Sequence, residues 1–183
     1  MGSYKEIESL QAQLKDLDVQ FWQNHMVFTA EWWMLLAAAI VPWIWWYSFV
    51  DRKRIKDILF FGFIWMILAL VLDELGSAWL LWGYPKKLFP VIPPLAPADL
   101  SVIPITFMVI YQKNNSYKMY FKWCLLMSFV FSFIIEVVFH ILDLFRLYNW
   151  HHWMSFIGFI IISNLTWWVN KKVSNVQKQA FRG

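Results

Sequence analysis

Two acidic residues, Asp73 and Glu74, interrupt the apolar run "LVLDELGSAWLLWGYP" at residues 70–85. At a helical rise of about 1.5 Å per residue, Asp73 lies roughly 16 Å from Tyr84, near the middle of a hydrocarbon core about 30 Å thick. A carboxylate at that depth costs at least about 2.5 kcal/mol unless it is protonated, paired or in contact with water inside the protein. A carboxyl group in such a state can handle a proton or bind a polar ligand group. Asp73 shares a helix face with Gly76, where helices approach closely, so Asp73 rather than Glu74 is expected to face a cavity.

A second acid, Glu136 in "FSFIIEVVFHILDLF", lies ten residues before Arg146 and therefore at a similar depth. His140 and Asp143 follow at helical spacing, which places all three side chains on one face. This pattern predicts a polar cavity wall or a proton path, and the alternative is one satisfied Glu–His pair that holds two helices together. If Asp73 and Glu136 come close, they cannot both ionise cheaply and are expected to share a proton.

A third acid, Asp99, follows the segment "YPKKLFPVIPPLAPADLSVIP" at residues 84–104, which contains six prolines. Such a density of proline excludes a regular helix. A re-entrant segment with Asp99 at its deepest point is one interpretation, and it is permitted only where the backbone is buried in protein or lines a watery cavity. A loop draped over the surface of the bundle is the other.

The elements that position these acids are membrane helices. Sixty per cent of the residues are hydrophobic, only 15% are charged, and 14 Trp and 7 Tyr suit membrane interfaces. The sequence predicts an all-α, polytopic transmembrane bundle. Its five spans are expected at about 30–50, 57–83, 100–112, 119–144 and 153–170, and the third covers only about 20 Å.

Three domains are expected. Residues 1–28 form an extracytoplasmic amphipathic helix, 29–172 the five-helix membrane domain, and 173–183 a cytosolic basic tail. The apolar face of the first helix lies on the membrane or the bundle, or residues 4–25 recruit a second copy or a partner as a short coiled coil. That face consists of Ile7, Leu10, Leu14, Leu17 and Phe21.

The distribution of basic residues predicts the orientation, because cytosolic loops of membrane proteins are rich in Lys and Arg. Eleven of the sixteen lie in the loop at 52–56, the connection at 113–122 and the C-terminal segment from Lys171 onward. We therefore expect a multi-pass plasma-membrane protein with its N-terminus outside and its C-terminus in the cytosol.

The stretches "VPWIWW", "DRKR", "YNWHHW" and the block from Asp73 to Pro104 resemble a family of small, uncharacterised five-span membrane proteins from spore-forming Gram-positive bacteria. The resemblance covers most of residues 31–169 and implies no activity. A second, partial resemblance is to lycopene cyclase-type membrane domains, which use acids to protonate an isoprenoid double bond. The matching positions are Asp73, Trp82, Tyr84, Pro97 and Asp99. Those domains favour Pro-Glu where this chain has "PAD".

Other chemistry finds little support in the sequence. It has no Gly-rich phosphate loop and no zinc-type Cys/His spacing, so neither a metal site nor a cofactor is identified. His151 and His152 are adjacent and are interpreted as solvent-facing residues of an aromatic belt. The net charge of +4 reflects cytosolic loops beside anionic lipid rather than nucleic-acid binding.

Three classes of function remain. The first is a binding or transport module for a lipid-like or isoprenoid ligand, whose partners are membrane lipid and a hydrophobic small molecule. The second is an enzyme that performs acid-base chemistry on an isoprenoid or lipid. The third is a non-catalytic subunit or sensor, in which the buried acids pair off and leave no cavity. The site residues expected for the first class are Asp73, Asp99, Glu136, His140, Trp82 and Tyr84.

The orientation yields the first testable prediction. In intact cells, Lys5→Cys should react with a membrane-impermeant thiol reagent, whereas Lys178→Cys should react only after permeabilisation. The opposite labelling pattern would overturn the orientation and the depth arguments that rest on it.

Overall fold

The computed structural model describes residues 3–90 and 95–180, and these are predominantly helical. The helices are α1 (Tyr4–His25), α2 (Ala30–Phe49), α3 (Ile55–Ala78), α4 (Ile103–Lys113), α5 (Tyr117–Val130), α6 (Glu136–Ile141) and α7 (His152–Ala180). A 3-10 turn (Arg52–Arg54) precedes α3, and π-helical turns precede α4 (Ala98–Val102) and connect α5 to α6 (Phe131–Ile135). Two short antiparallel strands, β1 (Trp82–Gly83) and β2 (Arg146–Leu147), pair with each other.

The predicted all-α class is confirmed. Within the described residues, three helices are long and apolar enough to cross a membrane: Ala30–Phe49, Arg52–Ala78 and Tyr117–Ile141. Helix α4 has only 11 residues, or 16 with its π turn. Helix α7 has 29 residues but is not among the three.

An aromatic core joins α3, α4, α5 and α7. Phe61 stacks on Tyr111 with ring centroids 4.5 Å apart, and Trp65 stacks on Phe107 at 4.6 Å. Tyr120 of α5 meets the Phe61 ring edge-on. Offset and edge-on contacts are the arrangements that aromatic quadrupoles favour, so these rings fix how the helices cross.

A polar network lies at one end of this core, around Asp57 near the start of α3. Its carboxylate accepts hydrogen bonds from Tyr111 (2.9 and 3.1 Å), Asn170 (2.9 Å), Ser174 (3.2 Å) and Arg54 (3.2 Å). The donors come from α4, α7 and the turn before α3. The acid is thereby satisfied, and three helices are tied together at this end.

Helix α1 precedes the apolar helices and has no buried residue. Ser3 and Glu6 form a capping box at its start. Its C-terminal part is held to the connection after α3, because Trp22 donates to the Leu88 carbonyl at 3.0 Å and Lys87 pairs with Asp18 at 2.9 Å. The apolar face defined above is exposed throughout, so the described part of the bundle does not cover it.

The Pro-rich connection leans on the start of α2. Trp32 donates to the Leu88 carbonyl at 3.0 Å, and Lys86 pairs with Glu31 at 2.6 Å. Leu88 and Leu95 are buried against it. Residues 91–94, which include two of the prolines, lie outside the described residues.

Helix α7 continues to Ala180, so residues 173–180 of the expected C-terminal tail are helical. Residues 181–183 of the predicted tail lie outside the described residues.

Replacing Tyr111 by Phe should test the Asp57 network. The ring contacts remain, but Asp57 and Asn170 each lose a hydrogen-bond partner, so we expect a loss of about 1.5–3 kcal/mol in the free energy of unfolding. Unfolding in detergent would measure it. Tyr47→Phe, at an exposed hydroxyl, is the control and should have little effect. Equal stabilities of the two variants would mean that the network contributes nothing.

Candidate functional site

A cavity of about 530 Å³ lies at the end of the bundle opposite Asp57. Its walls come from α2, α3, α6, α7 and the two π turns, together with β1 and the residues around it. Most lining side chains are aliphatic or aromatic. The exceptions include three acids, Asp73, Asp99 and Glu136. Tyr84 and Trp82 also line it.

Asp73 is the best-anchored of these acids. It is only 6% exposed, whereas its neighbour Glu74 is exposed. Its Oδ1 accepts a hydrogen bond from the Trp82 indole at 2.7 Å and from the Tyr84 hydroxyl at 2.5 Å. Both donors follow Asp73 in sequence, so the chain must turn back along α3 to deliver them.

A tight turn after α3 makes that reversal. Leu80 has a φ of 53°, in the left-handed region that is uncommon for a residue with a side chain. The Leu81 amide donates to the Gly76 carbonyl at 2.9 Å, and the next residue, Trp82, enters β1. The turn thus sends the chain back toward Asp73.

Gly76 is required because the Trp82 indole covers it. A Cβ at this position would overlap the six-membered ring of Trp82. The close approach that the sequence suggested at Gly76 is therefore made by a side chain of the returning connection. Pairing of β1 with β2 holds that connection, with Trp82 opposite Leu147 and Gly83 opposite Arg146.

Asp99 meets Asp73 from the other side of the cavity. It lies in the π turn before α4 and is 7% exposed. The two carboxyl groups are within hydrogen-bonding reach of each other. Neither Oδ2 atom has a hydrogen-bond donor among the described residues. Two buried carboxyl groups in contact cannot both ionise cheaply, so we expect them to share a proton.

Glu136 forms a different pair. Its Oε2 lies 2.8 Å from Nδ1 of His152, the first residue of α7. Nearby, the Trp150 indole donates to the Ser155 hydroxyl at 2.9 Å. The acid therefore connects α6 to the start of α7 while lining the cavity.

The sequence suggested that Asp73 and Glu136 come close and share a proton, but each acid has a different partner. Asp73 contacts Asp99, and Glu136 contacts His152. Depth along a helix indicates how far two groups lie from the membrane surface, but it does not indicate how far apart they lie in the plane of the membrane. The acid that reaches Asp73 comes from the Pro-rich connection.

His140 and Asp143 do not join Glu136 in the cavity. His140 is exposed, and its Nδ1 lies 3.2 Å from the Phe145 carbonyl oxygen, because α6 ends at Ile141 and the chain turns there. Asp143 lies in that turn and forms two hydrogen bonds with Arg146, at 2.7 and 3.0 Å. The Arg146 guanidinium lowers the pKa of this carboxyl.

Sequence reasoning missed His152, which it treated as solvent-facing together with His151. His151 is exposed, but His152 is half-buried against Glu136. A signal existed: Glu136 and His152 are each eight residues from Leu144, in the connection between two antiparallel helices. Two residues that are equally far along the chain from such a connection lie at the same depth on the two helices.

Within residues 3–90 and 95–180, no three His, Cys, Asp or Glu side chains are grouped as a metal site would require. Among known proteins, no family model, no curated protein and no solved structure matches the chain.

The packing of Trp82 on Gly76 can be tested with two glycines that line the same cavity. Gly76→Ala should displace the indole from Asp73 and cost about 1–3 kcal/mol in the free energy of unfolding, the usual penalty for overpacking. At Gly158 an added Cβ would meet nothing within 4 Å, so Gly158→Ala should cause no loss. Denaturation in detergent would compare them. If Gly76→Ala proved as stable as wild type, Trp82 would not be fixed as described.

Proposed function

We propose that this protein binds a lipid-like molecule inside the membrane, in the cavity that contains the Asp73–Asp99 pair. The observation that carries the proposal is the cavity itself. A subunit whose acids served only assembly would be expected to bury them in a filled interior, whereas here about 530 Å³ remains beside them. This volume lies within the range of small-molecule sites, roughly 300–1,000 Å³.

The lining favours a ligand with a long apolar part. Leu72 of α3, Trp79 directly after α3 and Ile161 of α7 line the cavity and are also exposed on the outside of the bundle. At this end α3 and α7 therefore leave a lateral opening, while Asn170 and Ser174 of α7 hold the other end of α3 at Asp57. A lateral opening suits a ligand that arrives from the lipid phase.

The proposed topology has five crossings of the plasma membrane. Three apolar helices supply the long spans, α4 with its π turn and the Pro-rich connection supplies a short one, and α7 supplies the last. Successive helices from α2 to α7 alternate in direction, with α5 and α6 forming one span. The basic residues cluster at the Asp57 end, which supports placing that end in the cytosol and the N-terminus outside.

A second candidate function is acid-base catalysis on the bound ligand. The contact between Asp73 and Asp99 favours it, because a carboxyl pair that shares a proton can donate that proton to a substrate. These positions also match the acids of lycopene cyclase-type domains, which the sequence resembles in part.

Cavity binding is tested by identifying lipid that copurifies with the protein. Gly158→Leu places a side chain in the open space beside α7 and should reduce the bound lipid to background, while Gly158→Ala should retain it. Asp73→Asn keeps an oxygen for Trp82 and Tyr84 but loses the titrating group, so it should fold and retain less ligand. Glu136→Gln should behave in the same way.

Mass spectrometry of the purified variants would measure the bound lipid. Equal amounts of the same lipid in wild type and Gly158→Leu would place the ligand outside the cavity and refute the proposal.

A further inference from the structure

We infer that the ligand of this cavity carries a cationic head, as an alkylammonium amphiphile does, and that the head binds beside Asp99. The inference rests on the proposed function, because it assigns the chemical class of the molecule held there.

The first support is the sign of the charges around the cavity. Apart from Tyr84, the ionisable side chains among its described lining residues are all carboxylic acids: Asp73, Asp99 and Glu136. Residues 91–94, which the structure does not describe, read Val-Ile-Pro-Pro and add no charge. The nearby lysines are already paired, Lys86 with Glu31 and Lys87 with Asp18. The protein therefore offers negative charge to whatever enters.

The second support is the state of Asp99. It is 93% buried, lines the cavity, and receives no hydrogen bond from a described side chain other than the contact with Asp73. Asp73 differs, because Trp82 and Tyr84 already donate to it. When the two acids share one proton, the pair carries one negative charge. Asp73, which accepts both donors, is the better place for that charge, and Asp99 holds the proton. No base among the described lining residues neutralises the charge, and a buried charge requires a counter-ion.

The third support is the aromatic wall near the acids. The Trp82 and Trp150 rings lie edge to face with centroids 5.0 Å apart, and the Tyr84 and Phe145 rings lie 5.4 Å apart. All four residues line the cavity. Aromatic faces attract ammonium groups, and the attraction grows when the site excludes water. A carboxylate beside several rings is thus suited to a cationic head.

The same features disfavour anionic heads. A phosphate or carboxylate placed at Asp99 would meet a like charge where water screens it poorly. A neutral alcohol would gain a hydrogen bond but no ionic attraction. The expected order of affinity is therefore ammonium, then alcohol, then carboxylate.

Three amphiphiles with the same brominated dodecyl chain and different heads would test this order: trimethylammonium, hydroxyl and carboxylate. Bromine quenches tryptophan fluorescence, and the cavity contains several Trp side chains. Quenching of the full-length protein in detergent would give each affinity. The Gly158→Leu variant, with a leucine side chain obstructing the cavity, would give the baseline for quenching by probe dissolved in the micelle.

For the wild type we expect the ammonium probe to bind about tenfold more tightly than the alcohol, corresponding to about 1.4 kcal/mol. The carboxylate probe should show no binding beyond the Gly158→Leu baseline. Replacing both acids, in the double variant Asp73→Asn with Asp99→Asn, removes the charge of the pair and should bring the ammonium probe to the affinity of the alcohol probe while alcohol binding persists.

Equal wild-type affinities for the three probes, or a preference for the carboxylate, would overturn the cationic class and leave the lipid-binding proposal standing. If no probe exceeded the Gly158→Leu baseline, both would fail. The comparison of the three probes on the wild type decides between these outcomes even if the double variant does not fold.

Discussion

The cavity end of this protein depends on one buried carboxylate oxygen. Oδ1 of Asp73 accepts both the Trp82 indole and the Tyr84 hydroxyl, and these two bonds hold the connection after α3 against the helix it has just left. Hydrogen bonds to a charged acceptor in a poorly solvated site are stronger than those between neutral groups. Without them, the wall formed by Trp82 and Tyr84 would have no fixed position, and the cavity would lose one side.

The two ends of the bundle use the same type of residue for opposite results. At one end, Asp57 is surrounded by donors from three elements, and the space around it is filled by stacked rings. At the other end, Asp99 lies beside open space with Asp73 as its partner. An acid whose two oxygens accept several hydrogen bonds fixes the elements around it, whereas buried acids left incompletely satisfied are characteristic of functional sites in membranes. The molecule thus separates the end that holds it together from the end that we propose binds a ligand.

Both acids that approach the cavity from α4 and α6 are associated with π turns. Asp99 lies within the turn Ala98–Val102, and Glu136 follows the turn Phe131–Ile135 directly. A π turn adds a residue to the helical repeat and changes the direction in which the following side chains point, and such turns are frequent at functional sites. Helical spacing from Glu136 pointed to His140 and Asp143, but α6 ends at Ile141, and the partner of Glu136 is His152.

The sequence by itself determined the helical class, the apolar helices, the amphipathic arm and the candidate acids. These follow from hydropathy, from helical periodicity and from the cost of a charge in hydrocarbon, all of which act locally along the chain. Only the tertiary structure decided which acids meet. The partner of Asp73 comes from a Pro-rich connection. The partner of Glu136 comes from the start of α7, beyond a turn, and helical periodicity relates only residues within one helix. The Asp57 network likewise joins α3 to residues more than a hundred positions away, a proximity that only the packing of the helices creates.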